Sequence, residues 1–133
     1  MDYQSKAKEI AGKYNITVTY RQCRGYAHPK TRSIETPEPK GYVSFFTFLH
    51  EVGHIVAPNA SYQTAPTRAL AEHRATKWAY AQLREMGMPI KATIKTRYTN
   101  YIKNKIARGL RRGGNVPVEL TAMAKGVSKR SYF

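Results

Sequence analysis

The chain is poor in three things, and each shortage excludes something. It has one cysteine, Cys23, in 133 residues. An internal disulfide and a cysteine-cluster metal site are therefore ruled out. It has no long hydrophobic run. The longest nearly apolar stretch, residues 42–57, carries two histidines and a glutamate and falls short of the ~20 apolar residues of a membrane span. The N-terminal MDYQSKAKEI contains no apolar signal region, so a cytoplasmic protein with no membrane partner is expected. Acidic residues are the third shortage. Eight Asp and Glu stand against 23 Lys and Arg, a formal net charge of +15.

A basic excess of that size points to a polyanionic neighbour, either nucleic acid or an acidic protein. The charge is uneven. From Lys91 onward there are 11 basic residues and one acid, Glu119. Hydrophobic residues make up 41% of the chain, enough for one core in a single domain. No internal repeat and no low-complexity segment is present.

Periodicity divides the chain. Ala7, Ile10, Ala11 and Tyr14 recur at helical spacing and predict a helix over residues 3–14 that Asn15 stops. Ile16, Val18 and Tyr20 alternate with polar residues, a half-buried strand. Tyr26-Ala27 and residues 33–36 read as two further strands, with His28-Pro29-Lys30-Thr31 as the turn between them. Pro37 and Pro39 end the sheet region. A helix is expected over residues 43–56, capped by Ser44 or the residues just before it. A third starts at an N-cap on Thr67 and ends near Gly87 and Pro89. A fourth fits residues 91–110, where Ile94, Tyr98, Tyr101, Ile102, Ile106 and Leu110 form one stripe. Eight Lys and Arg occupy other positions between residues 91 and 112. A short helix near 118–125 is the last expectation.

The second helix carries His50-Glu51-Val52-Gly53-His54. Histidines at i and i+4 lie on one helical face, so both imidazoles reach one ion, and Glu51 projects beside it. Zinc lowers the pKa of its bound water to ~7, and a carboxylate in that position takes the proton. From the His and Glu content of this chain, the pattern arises by chance in about 0.6% of such sequences, which weighs against coincidence. Phe45, Phe48, Leu49, Val52, Ile55 and Val56 make most of the helix apolar. It is therefore a core helix, where unpartnered histidines would be costly.

A catalytic zinc takes three protein ligands and keeps one position open. Glu72 and His73 compete for the third. At ~100° per residue, Glu72 shares its face with Ala75, Ala79, Leu83 and Met86, the inward side, and His73 lies about 100° round. A carboxylate in an apolar stripe needs a cation, which selects Glu72. The alternative for Glu72 is an ion pair with a nearby arginine. Gly53 inside a helix costs ~1 kcal/mol relative to Ala; it suits a close helix contact, as do Ala71, Ala75 and Ala79. Tyr62 and Tyr80 are candidate donors to a developing oxyanion. His28 is expected to be exposed and not a ligand, Trp78 to be core, and Cys23 to have no nucleophilic role.

Residues 33–37, the run Phe46-Thr47-Phe48-Leu49-His50-Glu51-Val52-Gly53-His54, and Glu72-His73-Arg74-Ala75-Thr76-Lys77-Trp78-Ala79 together resemble the ImmA/IrrE-type zinc metallopeptidases of phages, mobile elements and bacteria. The resemblance spans roughly residues 1–88. Many relatives have glutamate directly before the alanine, where this chain has Arg74. The resemblance implies an α+β fold in which a small antiparallel sheet packs on the HExxH helix and a ligand helix. It implies His50, His54 and Glu72 as zinc ligands, Glu51 as catalytic base, a protein substrate, and the cytoplasm of a bacterial or phage-infected cell. Residues 1–90 would be the metallopeptidase core, and residues 91–133 a basic helical extension packed on the same domain. The competing expectation is a nucleic-acid-binding protein on a peptidase-like scaffold with structural or vestigial zinc, using residues 91–112.

Overall fold

Asp2 starts the first element. Its carboxylate accepts the Ser5 amide at 3.1 Å, capping helix α1, Tyr3–Lys13. Asn15, at φ 55°, turns the chain in the left-handed region that asparagine tolerates, and strand β1, Thr17–Tyr20, follows. Strand β2 is Tyr26–His28 and strand β3 is Ser33–Thr36. The helices after them are α2 (Tyr42–Val56), α3 (Arg68–Glu85) and α4 (Ala92–Arg111). The computed structural model describes all 133 residues. No helix is long and apolar enough to cross a membrane.

The architecture is α+β, as expected, with one correction to the sheet. Its order is β1-β3-β2, and β1 runs parallel to β3; only β2 pairs with β3 antiparallel. The sheet is thus mixed, not wholly antiparallel. Pro29–Thr31 form a tight 3-10 turn, with Arg32 at φ 49°, that makes β2 and β3 a hairpin. The link from β1 to β2, residues 21–25, instead passes across to the far side of β3. Five residues reach about 16 Å, more than the ~10 Å across two strand spacings.

Ile34 on the central strand is fully buried, and Phe45, Phe46, Phe48, Leu49 and Val52 of α2 pack the main core around it. Helix α2 begins at Gly41, whose amide donates to Ser44 Oγ at 3.1 Å, and α3 begins at Thr67, whose hydroxyl accepts the Leu70 amide at 3.1 Å. The Thr67 cap lies where the sequence places it; α2 is capped by Gly41, with Ser44 at the third helical position. Tyr42 then ties the start of α2 to the start of α4. Its hydroxyl donates to the Pro89 carbonyl and accepts the Lys91 amide.

The α4 stripe splits between two cores. Ile94 joins the main one; Ile102 and Ile106 pack with Ala69, Leu70 and Leu120 in a second. Tyr101 leaves the stripe and is 41% exposed. The short helix expected near 118–125 shrinks to one 3-10 turn, Val118–Leu120, with Leu120 buried.

Helices α2 and α3 meet backbone to backbone. A Cβ on Gly53 would lie 2.7 Å from the Ala75 carbonyl oxygen and 3.1 Å from its Cα. Glycine is there because no side chain fits. Gly12 in α1 has nothing within 4 Å of such a Cβ. The two alanine variants should therefore part ways. Gly12→Ala gains up to ~1 kcal/mol of helix propensity. Gly53→Ala meets an overpacking cost of ~1–3 kcal/mol that exceeds the same gain. Thermal unfolding should give a melting temperature several degrees lower for Gly53→Ala and slightly higher for Gly12→Ala. A Gly53→Ala protein as stable as the wild type would mean the helices slide apart without cost.

Candidate metal centre

The apolar face of α2 that makes the core also carries His50 and His54, one turn apart, with ring centroids 4.7 Å apart. Glu72 comes from the inward face of α3 and is 3% exposed. Its Oε2 lies 2.8 Å from His50 Nε2 and 3.3 Å from His54 Nε2. The three ligand atoms lie within 4.8 Å of one another, and these residues form a buried group that could hold a metal ion.

The outer contacts test the fit. His54 Nδ1 lies 2.7 Å from the Ala60 carbonyl. A carbonyl only accepts, so Nδ1 carries the hydrogen and the neutral ring turns its Nε2 lone pair toward the Glu72 carboxylate. Lone pair against anion is repulsive unless a cation lies between them, whether a second proton or a metal. His50 Nδ1 is held by Thr76 Oγ1 at 3.1 Å. Both imidazoles thus have their far nitrogens fixed and their near nitrogens converging, the outer-shell pattern of histidine metal ligands. The donor set fits a metal ion.

Electrostatics follow the same geometry. Burial works to raise the Glu72 carboxyl, but hydrogen bonds from His50 and His54 outweigh it and hold the group well below the usual carboxylate range. Burial works to lower His54; its hydrogen bond to Glu72 and the Glu72 charge outweigh that and raise it. The remaining Glu72 oxygen, Oε1, accepts the Tyr62 hydroxyl. Burial, and then the charge of Glu72, push the Tyr62 phenol up.

Glu51 lies next to His50 but is not part of the ligand group. It lines an open cleft of about 1440 Å³ shared with His50, His54 and Glu72. Burial raises its carboxyl, and the nearby histidines only partly offset this. Gly25 of the β1–β2 link closes over it. With φ at 111°, a Cβ there would sit 2.7 Å from Glu51 Oε2 and 3.0 Å from Thr47 Cγ2. Tyr98 of α4 forms another wall, its ring 4.9 Å from His50 and 4.8 Å from Phe46. Burial pushes its phenol up to about 12.

No family model, curated protein or solved structure matches this chain. The site therefore stands on its own geometry.

Of the residues singled out in the sequence, His50, His54, Glu72, Glu51 and Tyr62 come together. Tyr80 does not; its ring packs on Phe46 at 5.5 Å. His73 sits on the flank of α3, half-buried. His28 is at the surface, 2.7 Å from Glu35. Trp78 is half-buried, its ring edge-on to Tyr14 at 5.8 Å. Arg74 does not pair with Glu72. It grips both oxygens of Glu119 and the Asn59 carbonyl, steadying the loop whose next residue, Ala60, orients His54. Sequence reasoning missed Ala60, Thr76, Tyr98 and Gly25. Thr76 carried a signal: it lies one turn after Glu72, a polar residue on a buried face. Ala60 carried none, because its carbonyl is the functional group.

Proposed function

We propose that this chain is a zinc-dependent metallopeptidase. The observation that carries the reading is one carboxylate, Glu51, held beside a three-ligand group at the floor of an open cleft. Two imidazoles and a carboxylate suit zinc and leave a position free for water or substrate. The same donors suit iron(II); the adjacent non-ligand carboxylate favours hydrolysis, which needs a proton carrier. Zinc bound there would supply a Lewis acid and an activated water.

The chain's own residues do the rest. His50 and His54, oriented by Thr76 and Ala60, would hold the ion with Glu72. Glu51 takes a proton from the attacking water and returns it to the leaving amine. Its raised carboxyl suits a group that must both accept and donate. A peptide substrate would occupy the cleft of about 1440 Å³. Tyr62, with its hydroxyl on a ligand oxygen, is the tyrosine placed to donate to a developing oxyanion once a substrate displaces that contact. The likeness of the HExxH and Glu72 segments to ImmA/IrrE-type peptidases supports the same reading.

A second reading, nucleic-acid binding on a peptidase-like scaffold, draws on the cations of α4 and leaves the metal a structural role.

Protein purified without a histidine tag should contain one zinc per chain and cleave members of an unstructured peptide library. Treatment with 1,10-phenanthroline should abolish cleavage, and added zinc should restore it. Failure of the zinc-loaded protein to cleave any peptide would overturn the peptidase reading. Cleavage that survives complete zinc removal would overturn the metal's role.

A further inference from the structure

Away from the metal centre, four cations meet where α3 begins and α4 nears its end. Lys105 and Arg108 lie one turn apart on α4, and Arg112, the residue that caps its end, follows four residues on. Arg68 stands opposite them as the first residue of α3. Together with Thr67 and Gly109 they line a recess of about 190 Å³. No carboxylate lines it, and none of the seven ion pairs of the protein involves any of the four.

Like charges one turn apart on a helix are destabilising. The carboxylate that acts on Lys105, Glu72, opposes this only at a distance and pairs with none of the four. Lys105 is half-buried among these neighbours, and both its desolvation and the charge of Arg108 disfavour its protonated form. An anion in the recess would offset the repulsion among these cations and favour the protonated Lys105. The amides of Arg68 and Ala69, in the first turn of α3, add two donors without helical partners.

We propose that Arg68, Lys105, Arg108 and Arg112 form a phosphate-binding recess that seats the backbone of a nucleic acid. Arginine presents a planar fork that matches phosphate oxygens in pairs, and three of the four cations are arginines. A nucleic acid fits better than a single free phosphate because the cations do not stop at the recess. Eight Lys and Arg lie between residues 91 and 112, enough to follow a run of phosphates. The recess adjoins the metal cleft through two tyrosines. Arg68 lies over the Tyr62 ring at 5.3 Å and Lys105 over the Tyr101 ring at 5.2 Å, and both rings line the cleft. The bound strand would run along the cleft's rim. The proposal does not depend on peptidase activity.

The test is a titration of labelled duplex DNA of about 20 base pairs, at several salt concentrations between about 50 and 200 mM. Three full-length proteins are compared: the wild type, a recess variant, and a control that loses equal charge elsewhere. The recess variant is Arg68→Gln, Lys105→Gln, Arg108→Gln and Arg112→Gln. The control is Lys8→Gln, Lys13→Gln, Lys30→Gln and Lys77→Gln. Each phosphate contact contributes about −0.9 to the slope of log K against log salt. The recess variant should therefore lose about 3 to 4 from that slope and more than tenfold in affinity at low salt. The control should change the slope by less than about one. Should the fourfold variant fail to fold, Arg108→Glu alone, at an exposed position, should weaken binding at least severalfold. Equal losses in the two variants would overturn the recess as a site. So would absence of wild-type binding at low salt. Inorganic phosphate is the second probe. If it raises the melting temperature of the wild type but not of the recess variant, while both bind DNA alike, the recess takes free phosphate and the nucleic-acid assignment falls.

Discussion

Glu51→Gln is expected to keep the fold and the metal and to lose peptide cleavage by a factor on the order of 10²–10⁴. The amide has the size and polarity of the carboxylate but cannot accept a proton. Glu51 lies outside the ligand group, so its replacement leaves the ligand geometry untouched. The space is also conserved: Gly25 closes over the side chain with no room to spare, and glutamine is isosteric with glutamate. Metal content by elemental analysis and cleavage of a quenched fluorescent peptide, measured on the same preparation, check both halves. Activity within a few-fold of wild type would remove Glu51 as the base and with it the hydrolytic scheme.

The second large effect belongs to Glu72. Glu72→Ala should lower zinc affinity more than about a hundredfold, beyond the 10- to 100-fold typical of losing an outer-shell partner. Three things go at once: the anionic ligand, the charge that raises His54, and the acceptor of the Tyr62 hydroxyl. The fold should survive, because Ala79 and Leu83 continue the buried face of α3 without it. Competition against a chromogenic chelator measures the affinity. Wild-type occupancy in the variant would place the metal elsewhere. The two variants separate the roles: one keeps the ion without the proton transfer, and the other loses the ion itself.

Much of this centre was legible before any coordinates. Helical phase is local, so the inward direction of Glu72 and the flank position of His73 follow from counting residues along α3. The spacing of His50 and His54 is equally local, and so is the Thr67 cap. Strand pairing is not local. An antiparallel sheet is what is expected of these three short strands, and nothing in residues 21–25 announces that this link crosses over β3. The outer shell was hidden for the same reason. His50 meets Thr76 26 positions away, a contact that no pattern within one helix encodes. The periodicity of α4 places Tyr98 in a packed stripe, but its partner, the His50 ring, belongs to another helix. Tyr62 and Tyr80 could not be ranked among ten tyrosines; the loop after α2 carries one to Glu72, and the packing of Phe46 holds the other away.

The contact between Gly53 and Ala75 has a meaning beyond stability. Gly53 precedes the ligand His54, and Ala75 lies between Glu72 and the outer-shell Thr76. Moving a Cβ from 2.7 Å to ordinary contact would shift α3 by roughly 1 Å, whereas ligand distances hold to about ±0.2 Å. The helix separation thus sets the spacing of the His50, His54 and Glu72 group. Core side chains can be trimmed or exchanged and the bundle will relax around them, but at this point there is no side chain to adjust. The spacing of the group that could hold an ion is therefore written into the backbone, at the position where α2 has the least to show.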